Sequence, residues 1–330
     1  MIKLLVPKMP NYHRLLPYLC RIDENKWYSN FGPLERELRW RLEEKYGAHI
    51  VTVSSCTAGL ELMYRHYRDL GNISIELPSL TFPATVLAAK REGLFIHFED
   101  VNPDTWSHPA VAGFGFPETG AWLDAAAAFG EQAVAPGQTA VFSLHATKAI
   151  GAGEGGYIVT HDKHLAEKFR RQTNFGIENG ISRGWGTNAK MSEYACAVAL
   201  ASLDAWDREP WLRLFDWYDR YLPVNVTTQA RPRGVYPIIA VKLPPTVLAR
   251  DVALRMTAKG VETRRWYCPP MHRHPMMAEV NRNLPITDEL SLWLLGLPYH
   301  LLMQETDVIY VCDALVKAIS NETDEKIISS

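Results

Sequence analysis

Ser143-Leu-His-Ala-Thr-Lys148 leaves an apolar run and enters Ala-Ile-Gly-Ala-Gly-Glu-Gly-Gly156. A lysine carried from a buried strand into a glycine-rich loop can be held away from water. That lowers its pKa and makes its amine a usable nucleophile; a solvated loop lysine is the plainer alternative. Gly151, Gly153 and Gly156 satisfy the dinucleotide fingerprint G-x-G-x-x-G. That fingerprint must follow a strand directly and open a helix. Here the glycines lie beyond the lysine and run into a strand, so they read as room for backbone beside a bulky neighbour.

Three other segments carry chemistry-bearing residues. Ser54-Ser-Cys-Thr-Ala58 is a strand-to-helix turn of small residues. Its amides at Cys56 and Thr57 and the helix dipole suit one phosphate, or the turn is a simple N-cap. Asp124 ends the strand Trp122-Leu-Asp124, before four alanines. A buried carboxylate is costly unless paired, either with a structural cation or with a protonated cofactor nitrogen. Phe82, in Pro78-Ser-Leu-Thr-Phe82, could stack on a planar ring or fill the core. Pyridoxal phosphate needs a lysine that forms a Schiff base, a carboxylate on its pyridine nitrogen, donors for its phosphate and a stacking ring. Lys148, Asp124, the Cys56–Ala58 turn with Ser143, and Phe82 supply that set.

The elements that must position these residues alternate along the chain. After a loose opening, Gly32-Pro33 starts a helix with Leu34, Leu38, Leu42 and Tyr46 on one face. Strands are expected at His49–Ser54, Ile75–Leu77, Leu94–Phe98, Ala121–Ala125, Thr139–Leu144 and Gly156–Thr160. Helices are expected at Thr57–Tyr67, Ala84–Arg91, Asp162–Thr173 and Met191–Trp206. This alternation predicts an α/β fold with a mostly parallel sheet covered on both faces, over residues 1–208. From Glu209-Pro210 the pattern predicts helix Trp211–Tyr221, strand Tyr236–Lys242, helix Val247–Lys259 and strand Val261–Trp266. Helices Asp288–Leu295 and Thr306–Ile319 complete a smaller α+β domain over 209–330, ending in a polar, frayed tail from Ser320.

The composition narrows the class. The 330 residues carry 35 Lys plus Arg against 37 Asp plus Glu. A net charge of −2 argues against nucleic acid as the main partner. Five cysteines at 20, 56, 196, 268 and 312 form no C-x-x-C pair, so no disulfide framework or zinc site is expected. The opening apolar run is too short for a signal peptide, and no run approaches the 18 apolar residues of a membrane span. The expected home is the reducing cytoplasm, with no membrane partner. His272-Arg-His274 is a weak metal pair and no metal site is expected. His145 is either cofactor-adjacent or packed, and Arg264-Arg265 could meet a diphosphate or simply be solvated.

These segments together resemble the sugar aminotransferases of the DegT/DnrJ/EryC1/StrS type. The resemblance rests on Asn30-Phe-Gly-Pro-Leu-Glu35, Ser54-Ser-Cys-Thr-Ala-Gly-Leu60 and Pro78-Ser-Leu-Thr-Phe-Pro-Ala-Thr85. It continues through Asp124-Ala-Ala-Ala-Ala, Ser143 to Lys148, Gly153-Glu-Gly-Gly156 and Gly186-Thr-Asn-Ala-Lys-Met-Ser-Glu193, then Arg265-Trp-Tyr-Cys-Pro-Pro-Met-His272. It implies a fold-type I, aspartate-aminotransferase-like enzyme dependent on pyridoxal phosphate. Lys148 would carry the cofactor and move the proton, Asp124 would pair with the pyridine nitrogen, and Phe82 would stack on the ring. The amides near Cys56 and Thr57, with the Ser143 hydroxyl, would hold the phosphate. Asn188 would reach the phosphate in the neighbouring subunit, making a homodimer with shared sites the working unit. The family's substrates are nucleotide-linked keto sugars, with glutamate or glutamine as amino donor. Two departures stand out. The family's usual Gln beside the cofactor's 3-hydroxyl is Ala127 here, and the stretch from Asn102 to Gly120 is short, keeping only a strand at Val111–Pro117. Two alternatives are a same-fold sugar dehydratase, whose lysine is replaced by His, and a non-catalytic regulatory descendant; the retained Lys148 speaks against both.

Overall fold

The computed structural model describes residues 1–277, 280 and 283–320, so the tail beyond Ser320 lies outside the described residues. In chain order the elements are α1 (Tyr12–Asn25), α2 (Pro33–Tyr46), β1 (His49–Val53), α3 (Cys56–Asp69), β2 (Ser74–Pro78), α4 (Pro83–Arg91), β3 (Phe95–Glu99), β4 (Trp122–Asp124), β5 (Thr139–Ser143) and β6 (Gly156–Thr160). They continue with α5 (Lys163–Gln172), β7 (Ile177–Glu178), β8 (Ile181–Ser182), α6 (Glu193–Asp204), α7 (Glu209–Tyr221), β9 (Thr227–Thr228), β10 (Ile239–Lys242), α8 (Ala249–Ala258), α9 (Pro285–Trp293), β11 (Leu294–Leu297) and α10 (Glu305–Ser320). Among the described residues no helix is long and apolar enough to cross a membrane.

The central sheet has the order β1-β6-β5-β4. β4 and β5 run parallel, while β6 is antiparallel to both β5 and β1. β2 and β3 form a parallel pair of their own. β5 and β6 are buried along their whole length, as strands covered on both faces must be. Their side chains alternate between two cores, following the period of two along a strand. Phe142, Tyr157 and Val159 join Leu34, Leu38 and Leu42 of α2 and Leu200 of α6 on one face. Val141 and Ile158 join Leu60 and Met63 of α3, Val86 of α4 and Phe169 of α5 on the other. A third core packs α7, α8 and α10 on β10 and β11. The first residues of the chain join that body: Ile2 N–H donates to Gly260 O at 2.8 Å and Tyr299 N–H donates to Leu4 O at 2.9 Å.

Several expectations are corrected. The opening is not loose: α1 buries Tyr18 and Ile22, with Leu15 and Leu19 packed beside them, behind an Asn11 cap on Arg14 N–H at 3.1 Å. Pro17 inside the helix hid this period. Val111–Pro117 is not a strand. Only Val111 bridges, to His108 and Asp124, and the backbone turns at Phe114 (φ 57°) and Gly115 (φ 85°). Val261–Trp266 likewise keeps only bridges, Val261 to Ile2 and Arg264 to Gly296. The helix expected to reach Leu295 stops at Trp293, because Leu294–Leu297 pairs antiparallel with β10 as a strand. The helix expected from Met191 begins two residues later. α6 starts at Glu193, where Ser192 Oγ accepts from Ala195 N–H at 3.2 Å.

Candidate active site

Asp124 sits at the end of β4, only 6% exposed. Its Oδ1 accepts from Ala126 N–H at 3.0 Å and its Oδ2 from the Thr85 hydroxyl at 2.7 Å. Burial raises its pKa, a rise only partly offset by Thr85, Ala126 and the positive charge of Lys148. Among the described residues no lysine, arginine or histidine makes a direct ion pair with it, so the structural-cation alternative finds no partner.

Lys148 leaves β5 through a loop that folds back on itself. Lys148 N–H donates to His145 O, Ala146 N–H to Gly153 O, and Leu144 N–H to Gly155 O, all at 2.9–3.0 Å. Gly153 turns at φ 84°, a region open to glycine at little cost. The Lys148 amine has no hydrogen-bond partner among the described residues. Desolvation lowers its pKa, opposed by Cys56 and Asp124. The side chain is half-buried rather than a solvated surface lysine.

The start of α3 completes the frame. Ser55 Oγ caps the helix by accepting from Ala58 N–H at 3.1 Å, and Ser55 O accepts from Gly59 N–H at 3.2 Å. The cap reading is therefore right for Ala58, yet the amides of Cys56 and Thr57 keep no partner among the described residues. Such amides at a helix start, with the dipole behind them, suit an anion. β-register sets Ser143 opposite Gly156. A Cβ on Gly156 would lie 2.8 Å from both Cys56 N and Phe142 O, so glycine alone lets α3 come down on the sheet beside Ser143. Ser143 Oγ accepts from His145 N–H at 3.1 Å.

Phe82 is the N-cap residue of α4 and 62% exposed, which rules out core filling and leaves its ring face open. Ala127 offers no polar group; its carbonyl packs against Gly115. Asn188 is exposed, bridges Asn174 and accepts from Lys190 Nζ at 2.8 Å. Among the described residues no hydrogen bond joins it to Lys148, Asp124 or Ser143 in its own chain. His145 is not packed: its side chain is about 45% exposed, with Nδ1 2.9 Å from Thr147 Oγ1. His272 is buried between Ser79 and Asp288, with Nδ1 at 2.6 Å from Ser79 Oγ and Nε2 at 3.0 Å from Asp288 Oδ1. Arg265 donates to Ser291 O at 2.6 Å. The reading from sequence missed Thr85, although Thr81 and Thr85 stand one helical turn apart in a segment noticed only for Phe82. It also missed Tyr267, whose buried phenol is pushed up by burial and by Asp124.

The profile of the DegT/DnrJ/EryC1/StrS aminotransferase family matches residues 13–111 and 120–316. The chain belongs to that family. It is a pyridoxal-phosphate-dependent sugar aminotransferase of fold-type I. The eight residues between the two matched segments, 112–119, fall where the stretch is short. The chain is 26% identical to a dTDP-4-amino-4,6-dideoxy-D-glucose transaminase of Escherichia coli, over 94% of this chain and 96% of that protein. It is 31% identical to DesI, solved in the presence of its TDP-sugar product, with a TM-score of 0.85 over 96% of this chain and 93% of that one. A PLP-dependent aminotransferase structure from Bacillus cereus superposes with a TM-score of 0.88 at 24% identity, covering 96% and 99% of the two chains, and shares the fold. The residues present fit the cofactor: an uncommitted amine, a buried carboxylate without a cation, two free amides at a helix start and an open aromatic face.

Proposed function

We propose that this enzyme transfers an amino group from glutamate or glutamine to a nucleotide-linked keto sugar of the 3- or 4-keto-6-deoxy type. The observation that carries the placement of the site is the unpartnered, desolvated Lys148 amine lying within electrostatic reach of Asp124 and Cys56. The names of the relatives support the substrate class, since transaminases of dTDP-linked amino sugars and a TDP-sugar complex lie among them.

When bound, pyridoxal phosphate supplies the electron sink and carries the amino group. Lys148 would hold it covalently and, once released, move a proton at its own Nζ; burial lowers that amine's pKa and so favours its neutral, basic form. Asp124 would accept from the pyridine N–H and favour its protonated form. The Cys56 and Thr57 amides with the Ser143 hydroxyl would bind the phosphate, and Phe82 would cover one ring face. Ala127 would leave the 3-hydroxyl without the family's glutamine. Residues 1–208, apart from the first few that join the C-terminal body, would form the cofactor-holding part and 209–330 the smaller part, in the cytoplasm.

On this reading the working unit is a homodimer. Asn188 would act on the partner's cofactor phosphate, which accords with its exposed position. Exposed Phe175, Ile177, Ile181 and Trp185 around the β7–β8 hairpin supply apolar surface near it for a second copy. Mass spectrometry of products from a panel of nucleotide-linked keto sugars with glutamate tests the proposal. An aminated nucleotide sugar is expected; amination of amino-acid keto acids alone would reject it.

A further inference from the structure

Asp124 can favour a protonated pyridine nitrogen only while it remains a carboxylate, and its burial works against that. The groups around it on other elements do little to help. Among the described residues Lys148 is the one cation acting on it, while the thiol of Cys56 and the phenols of Tyr64 and Tyr267 are held neutral by the same burial and by Asp124 itself. What remains is direct hydrogen bonding.

Thr85 sits in the first turn of α4, fully buried, with Thr81 just before the helix and buried too. The two hydroxyls are 3.1 Å apart. Thr85 has a single hydroxyl proton, and it goes to Asp124 Oδ2 at 2.7 Å. Thr81 must then donate to Thr85 Oγ1. The pair forms a one-way chain from Thr81 through Thr85 to the carboxylate. Ala126 N–H, fixed by the backbone, meets the other oxygen. A donor on each oxygen favours the ionised acid over the protonated one. Two carboxylate oxygens offer about four acceptor positions, so free ones remain for a further donor.

We infer that Thr85 is a positioning residue: its hydroxyl, oriented by Thr81, keeps Asp124 ionised and aimed, and so sets how far a bound cofactor's pyridine nitrogen stays protonated. This rests on the placement of the cofactor against Asp124 proposed above. Thr85 also joins two functional residues, because the same helix start carries Phe82. Without the hydroxyl, the shared proton shifts from the ring nitrogen toward the carboxylate.

Full-length protein loaded with pyridoxal phosphate carrying nitrogen-15 in its ring tests this directly, in wild type, Thr85→Val and Thr85→Ser. Wild type and Thr85→Ser should give the pyridinium chemical shift. Thr85→Val should move toward the free-pyridine shift and slow the glutamate half-reaction about ten- to a hundredfold, as expected for a lost hydrogen bond to a charged group. A melting temperature on each variant separates a packing defect, which would lower stability without moving the shift. Thr85→Val with the wild-type shift and rate would overturn the inference while leaving the cofactor placement intact. A wild-type protein whose bound ring is unprotonated would overturn the placement itself, and this inference with it.

Discussion

Asp124 accepts two hydrogen bonds, and an asparagine in its place can keep both. Its carbonyl can take Ala126 N–H, while its amide donates to Thr85 Oγ1, whose proton then turns toward Thr81. Asp124→Asn should therefore keep the wild-type melting temperature within a few degrees. The glutamate half-reaction should fall by at least about tenfold, since a charge-assisted partner is worth about 1.5–3 kcal/mol. Lost stability with a normal rate would mark Asp124 as structural. Lys148 gives a stability test without turnover. Its folded pKa lies below the unfolded value because burial disfavours the charge. Below the folded pKa the unfolded state gains more from the charged amine, and stability recovers as pH rises from the folded to the unfolded pKa. Cofactor-free Lys148→Met should accordingly melt above cofactor-free wild type at neutral pH, with the gap closing in alkali; differential scanning calorimetry at both pH values reads it. Lys148, Asp124 and Phe82 could be singled out in the sequence as candidates because their chemistry is intrinsic to the side chain beside a strand end. Thr85 could not, since its hydrogen bond joins it to a partner 39 residues away.

At the scale of elements, Gly156 decides how close α3 comes to the sheet. Gly156→Ala would put a methyl between Cys56 N and Phe142 O, backbone on both sides. Overpacking of this kind costs about 1–3 kcal/mol. Urea unfolding should register that loss, and cofactor affinity should fall further than stability does, because the Cys56 and Thr57 amides are displaced. Unchanged affinity would mean those amides do not bind the phosphate. Elements with strong periods were readable: α2, α3, α5 and the buried strands β5 and β6 fall within a few residues of their expected bounds. The failures have physical causes. α1 carries a proline in its interior, and β11 continues the apolar run of α9, so only pairing with β10 divides helix from strand. At Val111–Pro117 an apolar run reads as a strand, but left-handed Phe114 packs inward against Trp106 and Tyr267.

At the scale of the whole molecule, a shared site predicts complementation. Lys148→Ala and Asn188→Ala chains, each defective alone, should recover part of the activity when mixed into hybrid dimers, because one of the two sites then holds both native residues. A confirmed hybrid with no recovery would place Asn188 outside the partner's site. The fold was legible as a whole because alternating strands and helices have few arrangements; the joining of residues 2–4 to the C-terminal body was not, since it depends on contacts across some 258 positions. The central claim is that Lys148 holds the cofactor, and borohydride reduction of the intact protein loaded with pyridoxal phosphate tests it most directly. Peptide mapping should find the pyridoxyl group on Lys148, in the peptide that runs from β5 into the glycine loop. A stoichiometric label on any other lysine would contradict the account.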